Sequence, residues 1–227
     1  MTRTTMGGLL ASLFLLLQAA PATAQDYPSS WSAAAVASTL GFGAELTGRA
    51  NPIIGLRGGY FLFGNTHDEE IEDIRYELKS RLRNGTVMLD LHPGGGIFRL
   101  SGGLVFSSSH VDATGLLDGP VEIGGEIYTP AEVGTLTGKA KYGKTTMPYV
   151  GIGVASTARF TVTADLGIAF SGYPRVRLGA DSPLTGAELE ALEQSLAAEE
   201  ADIQQEIESH WWAKYYPVLS IGFKLRF

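Results

Sequence analysis

The chain has no cysteine, which excludes disulfides and any thiolate-based metal or redox site. It has four histidines, His67, His92, His110 and His210, and no two stand four residues apart, so a helical metal-binding pair is excluded. Beyond the N-terminal region no apolar run reaches the roughly 18 residues a membrane-spanning helix needs. Insertion into a bilayer would have to use strands, since only helices and closed barrels satisfy the backbone in lipid. Positive charge is scarce too: 17 Lys and Arg face 24 Asp and Glu, for a formal net charge of -7. Such an acidic chain does not suit nucleic-acid binding.

Arg3, the apolar run Leu9 to Leu17 and the small-residue end Pro21-Ala22-Thr23-Ala24 predict a signal peptide over 1–24, cleaved after Ala24. One domain over 25–227 is expected to follow. The leader holds one base and no acid, so the exported chain is one charge more negative.

The last strand speaks most clearly. In YYPVLSIGFKLRF, ending at Phe227, the odd positions from Tyr215 onward are apolar or aromatic, while Ser220, Gly222, Lys224 and Arg226 occupy the even ones. That is a period-2 strand with one apolar and one polar face. It exceeds the roughly 9–11 residues a tilted transmembrane strand needs. Similar alternation occurs over Thr39–Thr47, Ile53–Phe63 and Ile97–Asp112, over Gly138–Ala155, and most plainly over Arg159–Leu178. A first strand over Ser32–Ser38 is signalled weakly. Ile74–His92 changes phase: Tyr76, Leu78 and Leu82 share one parity, Val87, Leu89 and Leu91 the other. A β-bulge near Asn84-Gly85 would account for this.

Short turns at 48–52, 93–96 and 156–158 alternate with longer segments at 64–73, 113–137 and 179–213. Eight strands with this short/long alternation predict an all-β fold, an eight-stranded antiparallel transmembrane β-barrel. Val121-Glu122-Ile123, Gly124-Gly125 and Glu126-Ile127-Tyr128 read as a small hairpin within the second long loop. Over Pro183–Trp212, Leu189, Leu192, Leu196, Ile203 and Ile207 recur at helical spacing, and Thr185 with Glu188 fits a capping box. The last extracellular loop is therefore expected to carry an acidic helical segment over 184–209, whose plainest role is a solvated face.

The inward parity collects Glu45, Arg57, Asp90, Arg99, Asp165, Lys224 and Arg226. An eight-stranded barrel is wide enough only for its own side chains, and unpaired buried charges are costly. A salt-bridged, closed lumen charge network of these seven residues is expected. A soluble barrel would reverse this polarity and keep its apolar face inside.

GFGAELTGRANPIIGLRGGY, KYGKTTMPYVGIGV, DLGIAFSGYPRVRL and the EIESHWWAKYYPVLSIGF tail resemble the small eight-stranded outer-membrane proteins of the CarO type. The OmpW and OmpA membrane domains share the general style. The resemblance runs from about Thr39 to Phe227. It implies a non-enzymatic protein of the Gram-negative outer membrane and selective passage of small polar solutes, basic amino acids among them. The alternative is a structural or surface-interaction barrel without channel activity; a remote one is a lipid-A-modifying enzyme. Expected partners are outer-membrane lipid, lipopolysaccharide and the barrel-assembly machinery, engaged through the strand ending at Phe227. The barrel is expected to be a monomer with no cofactor.

Three further patterns bear on chemistry. Gly138 to Thr145 matches G-x-x-x-x-G-K-[ST], but it lies in a strand pattern without a following helix, the wrong context for a phosphate loop. Ser107, Ser108 or Ser109 with His110 would be the only serine–histidine set, yet adjacent strand residues face opposite ways. Lys139, Lys141 and Lys144, with inward-facing Arg75, Glu77, Lys79 and Arg81, are expected to form a charged rim.

Overall fold

A computed structural model describes residues 30–71, 74–155 and 158–227. The expected signal peptide and its cleavage after Ala24 lie outside them. The barrel strands are β1 (Ser30–Ser38), β2 (Gly41–Arg49), β3 (Ile54–Ile71), β4 (Ile74–Leu91), β5 (Phe98–Ser107), β10 (Thr146–Ala155), β11 (Phe160–Ala169) and β13 (Tyr216–Arg226). Each pairs antiparallel with the next, β4 also pairs with β5, and β1 pairs with β13. The ring of eight is closed, and it leaves no free edge along the wall.

Alternation sorts the wall as period 2 requires. Leu56, Leu89, Leu100, Ile152, Leu166 and Ile221 are among the large apolar side chains exposed on the outside. Polar side chains such as Thr86, Asp90, Ser101, Thr163 and Ser220 are buried inside. This polarity is that of a barrel solvated by lipid. No helix among the described residues is long and apolar enough to cross a membrane.

The weak first strand is real, and the β1–β2 turn at Thr39-Leu40 is tight, with Gly41 at φ 120°. This left-handed backbone is open to glycine at little cost. Both ends of the described chain and the turns after β2, β4 and β10 share one end of the barrel. The other end carries the long excursions.

Several expectations are corrected there. The acidic segment 64–73 is not a loop through most of its length: β3 runs to Ile71 and pairs with β4 along its whole length, Ile54 to Leu91 at one end and Ile71 to Ile74 at the other. Nor is there a bulge at Asn84-Gly85, since Phe61 faces Asn84 and Tyr60 faces Gly85 in uninterrupted register. The phase change has another cause: the surroundings invert while the pleat continues. Near the turn end the odd residues of β4, Val87 and Leu89, lie on the apolar exterior. Further up, the odd side bears Glu77, Lys79 and Arg81, and the even side carries the half-buried Leu78, Ser80 and Leu82. For the same reason Glu77, Lys79 and Arg81 stand on the outer side of the wall, not inside as a rim.

Three expected long strands are each two. Beyond Ser107 the chain steps sideways into β6 (His110–Leu117), which pairs with the upper half of β4. The small hairpin β7 (Val121–Ile123) and β8 (Glu126–Tyr128) follows, as expected. A short helix α1 (Pro130–Val133) then leads to β9 (Thr135–Lys141), which pairs with β6. After β11 the chain forms β12 (Arg175–Asp181) on the far side of β9. β4, β6, β9 and β12 thus make a side sheet that rises from the barrel wall.

The acidic helix is α2 (Ala187–Ser209). Leu192 and Leu196 are buried against Leu117, Ile123 and Val133, with Leu136 and Leu178 packed alongside. Leu189, Ile203 and Ile207 are half-buried, so the helical spacing does mark its packed side. Side chains fasten it as well: the Glu199 carboxylate accepts from the Gly124 N–H at 3.2 Å, and Glu200 from the Leu178 N–H at 3.2 Å. The expected capping box at Thr185 does not form; Gly186 at φ 61° is the N-cap. A capping box occurs at α1 instead, where the Glu132 carboxylate accepts from the Thr129 N–H and hydroxyl, both at 2.7 Å. Those bonds favour the ionised form and hold Glu132 below the usual carboxylate range.

Candidate functional site

The polar lumen converges on one cluster. Arg57 extends inward from β3 and touches three carboxylates from three strands. It donates from Nη1 to Glu45 of β2 at 2.9 Å, and from Nε and Nη2 to Asp90 of β4 at 3.0 and 3.2 Å. Its Nη1 is 3.6 Å from Asp165 of β11. Arg99 of β5 grips Asp165 through Nε and Nη2, at 2.9 and 2.5 Å, and stands 3.8 Å from Asp90. All five side chains are buried; Asp90 is 0 % exposed.

Five of the seven expected residues are therefore brought together: Glu45, Arg57, Asp90, Arg99 and Asp165. Lys224 and Arg226 are on the inward side of β13 but nearer its end, two and three rungs of that face below Ser220, which pairs with Asp165. Lys224 is half-buried and Arg226 exposed. The sequence reading missed Ser101. Its hydroxyl donates to Asp90 at 2.6 Å and accepts from Arg57 at 3.2 Å. The available signal was its parity with Arg99, two residues before it.

A second layer closes the lumen above the charges. Phe61, Met88, Met147 and Tyr149 point inward and are buried together with Leu40 of the β1–β2 turn. Asn84 ties this layer to the wall, donating to the Leu40 carbonyl at 2.8 Å and accepting from Ser109 Oγ at 3.2 Å. At the mouth Tyr142 packs edge-on against Tyr216, with centroids 5.1 Å apart. Burial and the neighbouring Tyr216 raise the Tyr142 phenol above its ordinary value, so it stays neutral.

At the turn end His92 is buried, and neither ring nitrogen has a protein partner among the described residues. Burial, then the nearby Arg49 charge, lowers its pKa to about 4, so the ring is neutral at ordinary pH.

The other motifs resolve plainly. Gly138 to Thr145 spans the end of β9 and the link to β10, and no helix follows it. Ser109 Oγ bonds Asn84, while the His110 ring turns to Asp112, 3.4 Å away, on the opposite side of the sheet. Among the described residues no group of three His, Asp or Glu is placed to hold a metal ion.

A closed eight-stranded antiparallel barrel with an apolar exterior, a salt-bridged interior and short turns at one end is a transmembrane β-barrel of the small outer-membrane type. No family model and no curated protein matches the chain. Among solved structures it is similar to CarO2 from Acinetobacter baumannii, with TM-score 0.58 and 22% identity over 87% of this chain and 98% of that one. It is equally similar to Acinetobacter baumannii CarO, with TM-score 0.57 and 22% identity over 86% and 97% of the two chains. The fold is thus that of the CarO barrels, and the expected fold class stands.

Proposed function

We propose that the protein is an outer-membrane barrel whose wall is a closed anchor and whose working surface is the sheet-and-helix unit at the extracellular end. The carrying observation is the Arg57–Arg99 network. It ties β2, β3, β4, β5 and β11 across the lumen with buried ion pairs, beneath an apolar layer around Phe61 and Tyr149. A structural or surface-interaction role, without a standing pore, fits such a lumen best. The role is non-enzymatic, a reading supported by the opposed placement of Ser109 and His110. Planar-bilayer recording of the purified full chain tests the proposal: no unitary current is expected, and a steady one would overturn it.

A second reading, selective passage of small polar solutes, draws on a different feature. The central cluster holds three carboxylates against two guanidiniums, so it keeps a formal excess of one negative charge. A basic amino acid could take the place of an arginine against Asp90 or Asp165 as it passed. Uptake of lysine or arginine, but not glutamate, into liposomes holding the protein would support this reading. Equal exclusion of all three would end it.

A further inference from the structure

The outer face of the side sheet concentrates positive charge in an otherwise acidic chain. Residues paired across an antiparallel ladder share a face. Lys79 of β4 pairs with Asp112 of β6, Asp112 with Lys139 of β9, and Lys139 with Arg177 of β12. One step nearer the barrel, Arg81, His110, Lys141 and Arg175 form a second row across the same four strands. Arg83 lies below Arg81, on the same side as its partner Leu62 of the lipid-facing wall. The lysines and arginines of these rows and Arg83 are all exposed.

Three acids of these strands interrupt the face: Asp112, Glu77 and, two rows farther from the barrel on β12, Asp181. Asp112 is held by Lys139 at 3.1 Å and by His110, and Glu77 by Lys79 at 2.9 Å. Arg81, Arg83, Lys141, Arg175 and Arg177 make no ion pair among the described residues. The two rows span about 14 Å at a strand spacing of about 4.8 Å.

The position matters as much as the charge. Below Arg83 the same face becomes the apolar exterior of Tyr60, Val87 and Leu104. At the step where the short β1–β2 hairpin ends beside the tall β3–β4 hairpin, an open groove is lined by Phe42, Leu62, Phe63, Arg81 and Arg83. Its apolar walls meet guanidinium groups at the upper edge of the lipid-facing belt. This surface suits an amphiphile with acyl chains below and fixed anionic groups above. Arginine forks match phosphate oxygens, and on the other sheet face α2 and the β7–β8 hairpin already pack against Leu117, Leu136 and Leu178.

We propose that this face binds the phosphate groups of a phosphorylated glycolipid, lipopolysaccharide, in the surrounding outer leaflet. The assignment rests on the outer-membrane reading above and specifies the partner of its extracellular unit. Arg81, Lys139 and Arg177 are the central contacts, and Arg83 and Phe42 sit where headgroup passes into acyl chain.

The test uses the purified full chain in a nonionic detergent. The probe is lipid A with both phosphates, extended by the inner-core sugar acids, beside the same glycolipid with the phosphates removed. The Arg81→Gln/Lys139→Gln/Arg177→Gln variant is expected to bind the phosphorylated probe roughly a hundredfold more weakly, about fivefold for each cation lost near an anionic surface. Glu77→Gln, which frees Lys79, is expected to tighten binding by a few-fold, and Arg159→Gln at the opposite end to leave it unchanged. Tight binding of the phosphate-free probe, or wild-type affinity in the triple variant, would overturn the proposal. So would displacement by millimolar inorganic phosphate or equal affinity for soluble polyphosphate, since the face would then take free anions. Envelope fractionation is read separately: a protein that binds the probe but fractionates elsewhere defeats only the outer-membrane reading.

Discussion

Arg57 and Asp90 form a two-pronged ion pair in the middle of the barrel, with Nε and Nη2 on separate carboxylate oxygens and side-chain exposures of 4% and 0%. Breaking such a pair from one side leaves a buried charge uncompensated, which costs about 3–5 kcal/mol. Arg57→Met should therefore lower the urea midpoint for unfolding from lipid vesicles far more than Arg226→Met, whose side chain is exposed. Adding Asp90→Leu to Arg57→Met should recover part of the loss, because it removes a buried carboxylate left with only the Ser101 hydroxyl and, at 3.8 Å, Arg99. A double variant no more stable than Arg57→Met would show that the pair is not the source of the cost.

The Tyr149 ring lies inside the barrel across Gly151 and Gly167, and a Cβ added at either glycine would overlap its hydroxyl end. Gly167→Val should cost about 1–3 kcal/mol by overpacking. Tyr149→Leu should make the same change at Gly167 much milder, so the two substitutions are non-additive. Thermal unfolding in detergent of the four members of this cycle reads the coupling; strictly additive shifts would refute the contact.

Period-2 alternation made the wall legible, and with it the inward parity of Glu45, Arg57, Asp90, Arg99 and Asp165. Which charge meets which depends on strand order and stagger, which parity does not carry. Ser101 was passed over because a lone inward serine looks like any other small polar lining residue. The misread phase of β4 has a simple cause: at the upper edge of the apolar belt, the solvent outside the wall changes while the backbone does not. Tyr76, Leu78 and Leu82 therefore looked out of phase with Val87 and Leu89 when they lie on one unbroken strand. The stretches around Ser108, Lys144 and Tyr173 read as strand interiors, because nothing local reveals that the chain changes partner there. The helix was visible from Leu192 and Leu196, but its cap was not, since Gly186 in a left-handed conformation displaced Thr185 from that role.

His92 gives the fold a specific acid sensitivity. Its pKa is about 4 when folded, against the ordinary value near 6.5 when unfolded. Between these values the unfolded chain binds the extra proton, so stability is complete above the unfolded pKa and falls as the pH drops toward 4. Linkage puts the loss between pH 7 and 5 on the order of 1–2 kcal/mol. His92→Gln removes this titration, so its urea midpoint should change less over that interval than the wild type's. Parallel pH profiles would mean that the imidazole titrates alike in both states.

The helical unit should be separable from the barrel in stability. Leu192 is fully buried between α2 and the side sheet, where a leucine-to-alanine change costs about 2–5 kcal/mol. None of the lumen ion pairs touches this cluster, and the barrel closes through β1–β13 and β4–β5 without it. Leu192→Ala, and more strongly Leu192→Ala/Leu196→Ala, should therefore loosen α2 while leaving the barrel intact. Loosening exposes the acidic sites along α2, Glu199 and Glu200 included, to a glutamate-specific protease at concentrations that spare the wild type. The barrel itself should keep its heat-modifiable migration in detergent gels, because its wall hydrogen bonds and charge network are unchanged. Loss of that migration together with helix cleavage would show that the helix and barrel unfold as one cooperative unit.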